Sequence, residues 1–186
     1  MKIVMTAFEI FGSFNKNSSF IALNQIDNPL VYKLVLPVSY PDAFDKLKKE
    51  LTFKPDIFIL LGMAANRNVV TIEEKAINEL NFSIPDNNNI TIKEKPICNE
   101  GNKYIYSKVD IDELITYLND LNFECEKSTD AGKYICNYLY YEILNNYDVP
   151  TIFIHIPMYE TTEQYNELNR LLNNIIIYFK NKKDFI

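Results

Sequence analysis

Nucleophilic chemistry in this chain has few carriers, because there is one histidine, His155, and only three cysteines, at 98, 125 and 136. Cys136 stands out. It closes the stretch Ser128-Thr129-Asp130-Ala131-Gly132-Lys133-Tyr134-Ile135-Cys136, a few residues past a glycine turn and close to where a helix should start. A thiol attacks as its thiolate, and a helix N-terminus and a nearby imidazole are two usual ways to lower its pKa. His155 lies in the apolar run Thr151 to Pro157, which reads as a strand delivering its last residues to the edge of a core. If the chain does Cys/His chemistry, His155 is the base. The same residues also fit plain packing. Cysteine is among the most buried residue types, and Tyr138, Leu139, Tyr141 and Leu144 follow Cys136 at helical spacing.

The elements around these residues must position them. Residues 2 to 8 form a first strand, and Ser18-Ser19 reads as the cap of a short helix carrying Phe20, Ile21, Leu23 and Ile26. The loop between places Phe8, Phe11 and Phe14 close together, which suits either a slot for a flat ligand or a simple end to the core. Val31 to Val38 is a second strand, and residues 43 to 51 follow as a helix. Asp56 to Gly62 is nearly all apolar, the pattern of a strand buried on both faces, with residues 63 to 68 as a loop at its C-terminal end, where ligands sit in open α/β sheets.

Val69 to Ile77 reads as one extended piece carrying Glu73 beside Glu74. Side chains alternate along a strand, so one of the pair faces inward and needs a partner, for which Arg67 and His155 are the candidates. A turn-rich loop at 83–89 leads to residues 90 to 94 as half of a hairpin, a helix covers 110 to 121, and a short strand covers 123 to 127. The Cys136 helix runs to about Asn146, and a last helix runs from Thr161 to Lys180 with Leu168, Leu171, Leu172, Ile175 and Phe179 as its buried stripe. This alternation predicts a single-domain, three-layer α/β/α fold with a mostly parallel twisted sheet. The four glycines, at 12, 62, 101 and 132, all read as loop residues with a backbone task.

A formal charge of -6 and a pI near 4.9 argue against holding a nucleic-acid backbone. The basic cluster from Lys180 to Lys183 reads as the solvated end of the last helix. The short apolar N-terminal run meets Glu9 at once, unlike a signal peptide or a membrane span, so the expected address is cytoplasmic. An odd number of cysteines without CxxC pairing argues for free thiols and against a structural zinc.

Together these pieces resemble the pyroglutamyl peptidase I (pyrrolidone carboxyl peptidase) family of cytoplasmic cysteine peptidases. Its Phe-x-x-Phe-Gly opening is matched by Phe8 to Gly12, followed by Asn17. Its carboxylate motif is matched by Glu73, Ala76-Ile77-Asn78 and Ile84-Pro85-Asp86-Asn87. Its nucleophile motif is matched from Ser128 to Asn137, and its His-x-Pro by His155-Ile156-Pro157. The motifs occur in order over nearly the whole chain.

The resemblance implies a phosphorylase/hydrolase-like fold and removal of an N-terminal pyroglutamate from peptides. Cys136 would be the nucleophile forming a thioacyl enzyme, His155 the base and Glu73 its orienting carboxylate, with no metal and no cofactor. Phe8 and Phe11 would hold the lactam ring between them, and Asn17 and the backbone around Met63 would fix its amide edge. Arg67 is a further candidate beside Glu73. The backbone N–H of Cys136, near a helix N-terminus, would receive the oxyanion.

The chain departs from the family pattern at Ser13, Ser18 and Ser83, where Gly, Pro and Arg are usual. Asp130 would raise the Cys136 pKa if it points inward. After His155 the usual Pro-Glu-Gln is absent and the chain ends early, which leaves a homo-oligomer, dimer or tetramer, an open expectation. The alternative function is a catalytically weak or silent relative that binds blocked N-termini.

Overall fold

The structure is a computed structural model that describes residues 1–182. In chain order its elements are β1 (Ile3–Phe8), α1 (Ser18–Gln25), β2 (Val31–Leu36), α2 (Asp42–Glu50), β3 (Ile57–Met63), β4 (Val70–Glu73), β5 (Lys75–Ile77), β6 (Leu80–Phe82), β7 (Ile92–Lys95), β8 (Tyr104–Tyr106), α3 (Ile111–Asp120), β9 (Cys125–Ser128), α4 (Ile135–Asn146), β10 (Thr151–Ile156) and α5 (Thr162–Asn181).

The central sheet has six strands in the order β2-β1-β3-β10-β4-β9. All neighbours pair in parallel except β10 and β4. The fully buried strands β1, β3 and β10 sit in the middle of the sheet, and their β-branched and aromatic residues feed two cores. On β3, Ile57, Ile59 and Leu61 face one way, into a core with α1, α3 and α5. Phe58 and Leu60 face the other way, into a core with α2 and α4. The period of two in the strand thus divides the molecule into the expected three layers.

Several local expectations change. The extended piece at 69–77 breaks after Glu73: β4 stays in the main sheet, whereas β5 leaves it to pair with β8, a strand the apolar pattern did not reveal. Short strands with exposed tyrosines carry too few alternations to be read from sequence. The hairpin expected near Ile90 forms, as β7 against β6. Gly62 lies inside β3 rather than in a loop. The cap of α1 is Asn17, whose Oδ1 accepts from the Ser19 N–H, one position earlier than the serines suggested. At α5 the capping box at Thr161 and Gln164 fixes the start of the helix. Of the C-terminal basic cluster, Lys182 pairs with Glu113 across to α3, and Lys183 lies outside the described residues.

Candidate active site

The antiparallel pairing of β4 with β10 sets the first contact. Thr71 lies opposite His155 and Glu73 opposite Phe153, so Glu73 and His155 are diagonal neighbours on one face of the sheet. His155 Nδ1 meets Glu73 Oε1 at 2.7 Å, with the Glu73 side chain fully buried. The same oxygen accepts from Arg67 Nη1 at 2.7 Å. Arg67 also donates to the Thr71 hydroxyl and, through Nη2, to the Asp130 carbonyl at 2.8 Å. One guanidinium therefore ties the loop after β3, the strand β4 and the loop that leads to Cys136. Glu74 faces the other way, 3.6 Å from Lys127, as strand alternation requires.

Cys136 is the second residue of α4. Its sulfur rests against Gly62, the residue paired with His155 on the neighbouring strand. A Cβ at Gly62 would stand 2.9 Å from Sγ and 2.9 Å from two carbons of the Phe153 ring. The missing side chain is what admits the thiol to this position beside the histidine strand. The Phe153 ring in turn packs against the imidazole, with centroids 4.7 Å apart. Two further side chains of α4 hold the helix against the strands. Asn137 is buried and clips to the Ile77 N–H at 2.9 Å and the Ile77 carbonyl at 2.8 Å, and the Tyr140 hydroxyl donates to the Glu73 carbonyl at 3.0 Å. Sequence reasoning assigned no task to Asn137 or Tyr140, and for Gly62 it gave a backbone task in a loop rather than room for a thiol inside a strand; a glycine within a run as apolar as Asp56 to Gly62 was the available signal.

The start of α4 has an extended Tyr134 as its cap, with no side-chain cap bond, where Asn17, Asp110 and Thr161 cap α1, α3 and α5. First-turn amides have no partner within their own helix. Here no cap side chain takes one of them, and the Cys136 amide belongs to that turn. Gly132, at φ +77°, makes the preceding turn in a conformation that favours glycine.

Cys136, His155 and Arg67 line one open cavity of about 410 Å³, together with Phe11, Met63 and Tyr134. A smaller apolar slot of about 40 Å³ adjoins it, walled by Phe8, Phe11, Asn17 and Met63, with Tyr134 and Cys136 at its junction with the larger space. The expected residues are thus brought together, with Phe8 mostly in the core at 2% exposure. Asn17 is committed to its own loop: Oδ1 accepts from the Ser19 N–H and hydroxyl, and Nδ2 donates to the Glu9 carbonyl at 2.8 Å. One amide hydrogen of Asn17 is left for a ligand. Tyr134, which walls both spaces, was missed because it reads as an ordinary aromatic near a helix start.

Electrostatics run against the low thiol pKa that a helix start favours. Burial first, then the Glu73 charge, pushes the Cys136 thiol up to about 12, against the opposing effect of Arg67. Position at a helix start does not give this thiol a low pKa, because the packing that seats it also strips its solvation. Burial likewise holds His155 below its ordinary 6.5, although Glu73 pulls the other way. Burial works to raise Glu73, but the hydrogen bond and charge of His155, the Ser128 hydroxyl and the Arg67 guanidinium hold its carboxyl below 4.5. Asp130 is exposed and turns its carboxylate to the Gly132 N–H at 2.9 Å rather than inward to the thiol. The set at rest is a neutral thiol, a neutral imidazole and an ionised Glu73 bound to Arg67. All three cysteines are free thiols, and among the described residues no cluster of His, Cys, Asp or Glu could hold a metal ion.

A thiol seated at a helix start over the strand ends of an α/β sheet, with an imidazole backed by a carboxylate in the same cavity, is the layout of a thiol hydrolase. Comparison with known proteins gives the particular kind. The pyroglutamyl peptidase family matches residues 1–167. The chain is 32% identical over 167 residues to a pyrrolidone-carboxylate peptidase of Brachyspira hyodysenteriae, covering 84% of this chain and 83% of that one. It is also 32% identical over 168 residues to the Pyrococcus furiosus protein of the same name, covering 84% and 81%. The pyrrolidone carboxyl peptidase structure from Thermus thermophilus superposes with a TM-score of 0.83 at 28% identity, covering 91% of this chain and 97% of that one. The chain belongs to the pyroglutamyl peptidase family, and its likeness in sequence and fold marks it as a pyroglutamyl-peptidase-like hydrolase. Among the described residues no helix is long and apolar enough to cross a membrane.

Proposed function

We propose that the protein removes pyroglutamate from the N-terminus of peptides by a Cys136, His155, Glu73 mechanism through a thioacyl intermediate. The observation that carries this reading is the contact of 2.7 Å between buried Glu73 and His155, whose imidazole lines the same cavity as Cys136. With Nδ1–H donated to an ionised Glu73, the imidazole keeps its lone pair on Nε2, the tautomer a base needs.

A pyroglutamyl ring is neutral, flat and without an amine charge, which suits the slot of Phe8 and Phe11, where the remaining Asn17 amide hydrogen can meet the lactam carbonyl. The acyl carbonyl then lies over the thiol. Because that thiol is protonated at rest, attack and proton transfer must proceed together: sulfur bonds to carbon as Nε2 takes the proton. The Cys136 N–H at the uncapped start of α4 receives the oxyanion. Collapse breaks the C–N bond, and the imidazolium returns its proton to the leaving amine. Water, deprotonated by the same Nε2, releases pyroglutamate and restores the thiol.

Fluorophore release from a pyroglutamyl-coumarin amide tests this. Wild-type protein turns the substrate over and Cys136→Ala loses at least about 10³-fold. Folded, reduced wild-type protein that releases no fluorophore would contradict the reading and leave binding of blocked N-termini as the function.

A further inference from the structure

Beyond the wall made by Asp130 and Ala131 lies a second cavity of about 220 Å³, to which Lys75, Tyr104, Thr129 and Lys133 contribute. Asp130 and Ala131 also line the 410 Å³ cavity over Cys136. The aromatic slot shares Phe11, Met63, Tyr134 and Cys136 with that central cavity and no residue with the second one. The three spaces therefore follow one another, with the thiol at the junction of slot and centre. An acyl group seated in the slot leaves the departing peptide on the side of the second cavity.

The charges there are uneven. Lys133 is neutralised by Glu79 at 2.8 Å. Asp130, the acid on the shared wall, turns one carboxylate oxygen to the Gly132 N–H and keeps its negative charge, so an anion is favoured at the Lys75 end of the cavity and not along that wall. Among the described residues Lys75 has no carboxylate within ion-pair distance; its ammonium instead lies 4.8 Å from the ring centre of Tyr104 and 5.5 Å from that of Tyr106. Aromatic faces hold a cation in place without cancelling its charge. A half-buried, oriented and uncompensated ammonium beside a cavity favours an anion.

We propose that this second cavity is a subsite for the leaving side of the peptide that accepts a carboxylate, with Lys75 as its counter-charge. The proposal rests on the peptidase reading above and adds a substrate preference to it. The carboxylate can come from an acidic side chain or from the free C-terminus of a short peptide, and the substrates below separate these sources.

The test compares kcat/KM for the neutral peptide pGlu-Ala-Ala-amide with pGlu-Glu-Ala-amide, pGlu-Ala-Glu-amide and pGlu-Ala-Ala bearing a free C-terminus. At low salt at least one carboxylate-bearing peptide should be preferred by about three- to fivefold, the range of a partly exposed ion pair, and the preference should shrink as ionic strength rises. Lys75→Met should abolish the preference while leaving the neutral peptide unchanged, and the wild-type salt dependence stands as evidence even if that variant folds poorly. Equal rates on all four peptides, or a preference that survives Lys75→Met or high salt, would overturn the subsite and leave the peptidase intact. Absence of turnover on every peptide, the neutral one included, would instead bring down the peptidase reading and the subsite with it.

Discussion

Arg67 does more for this site than supply a partner for a buried acid. Its guanidinium compensates Glu73, grips the Thr71 hydroxyl and holds the Asp130 carbonyl of the loop that delivers Cys136. Its charge disfavours a second cation nearby, so it works with burial to keep His155 neutral, and it eases ionisation of Cys136. The acid limb of kcat/KM reports protonation of the free enzyme's base. Because the His155 pKa is depressed, that limb falls below pH 6.5 in the wild-type protein. In Arg67→Met the repulsion is gone, imidazolium forms more readily, and the limb moves to higher pH. We expect kcat/KM at its optimum to fall on the order of tenfold as the shared anchor is lost. A pH–rate profile of the variant that coincides with wild type would remove Arg67 from this account. Strand alternation showed that one of Glu73 and Glu74 faces inward and offered Arg67 or His155 as its partner, since a buried carboxylate demands one; the family resemblance chose Glu73, and the structure gives it both partners. The direction of the thiol's shift was left open, because proximity to a helix start is legible in a sequence and the loss of solvation around a sulfur atom is not.

At the scale of elements, the site depends on how α4 is pressed against the sheet. Asn137 and Tyr140 fasten the helix to β5 and to the end of β4, while Gly62 in β3 leaves room for the sulfur. Gly62→Ala should therefore fold, because this glycine does not need a positive φ, yet push Sγ or the Phe153 ring from its place. A displacement of about 1 Å at a nucleophile costs on the order of 10²-fold in rate. We expect that loss in kcat/KM with the circular dichroism spectrum unchanged; wild-type activity in Gly62→Ala would show that the close approach of thiol to strand is not required. The strands β3 and β10 were legible because they are apolar runs, β1 because it is rich in β-forming residues, and α3 and α5 because their apolar stripes are long. β5 and β8 were not, since three-residue strands beside polar loops leave no period to read.

On the scale of the whole molecule, the chain brings together residues far apart in sequence by a single device, the alternation of strands and helices across one sheet. The loops after β1 and β3, the Cys136 segment and the end of β10 meet at one cavity, in agreement with the rule that open α/β sheets bind ligands at the carboxyl ends of their strands. The order of motifs made the family legible from sequence, and the fold agrees with it. What no motif conveyed is the resting state that the shifts favour, with loss of solvation pushing the half-buried Cys136 thiol up and holding the His155 imidazole down. That state makes the acyl transfer to Cys136 the step on which the account stands. The most direct test is mass spectrometry of protein quenched in acid during turnover of a pyroglutamyl-coumarin amide, followed by digestion. A pyroglutamyl group on the peptide containing Cys136 is the expected result. Turnover with Cys136 unmodified throughout, or with the group carried by Cys98 or Cys125, would contradict the account.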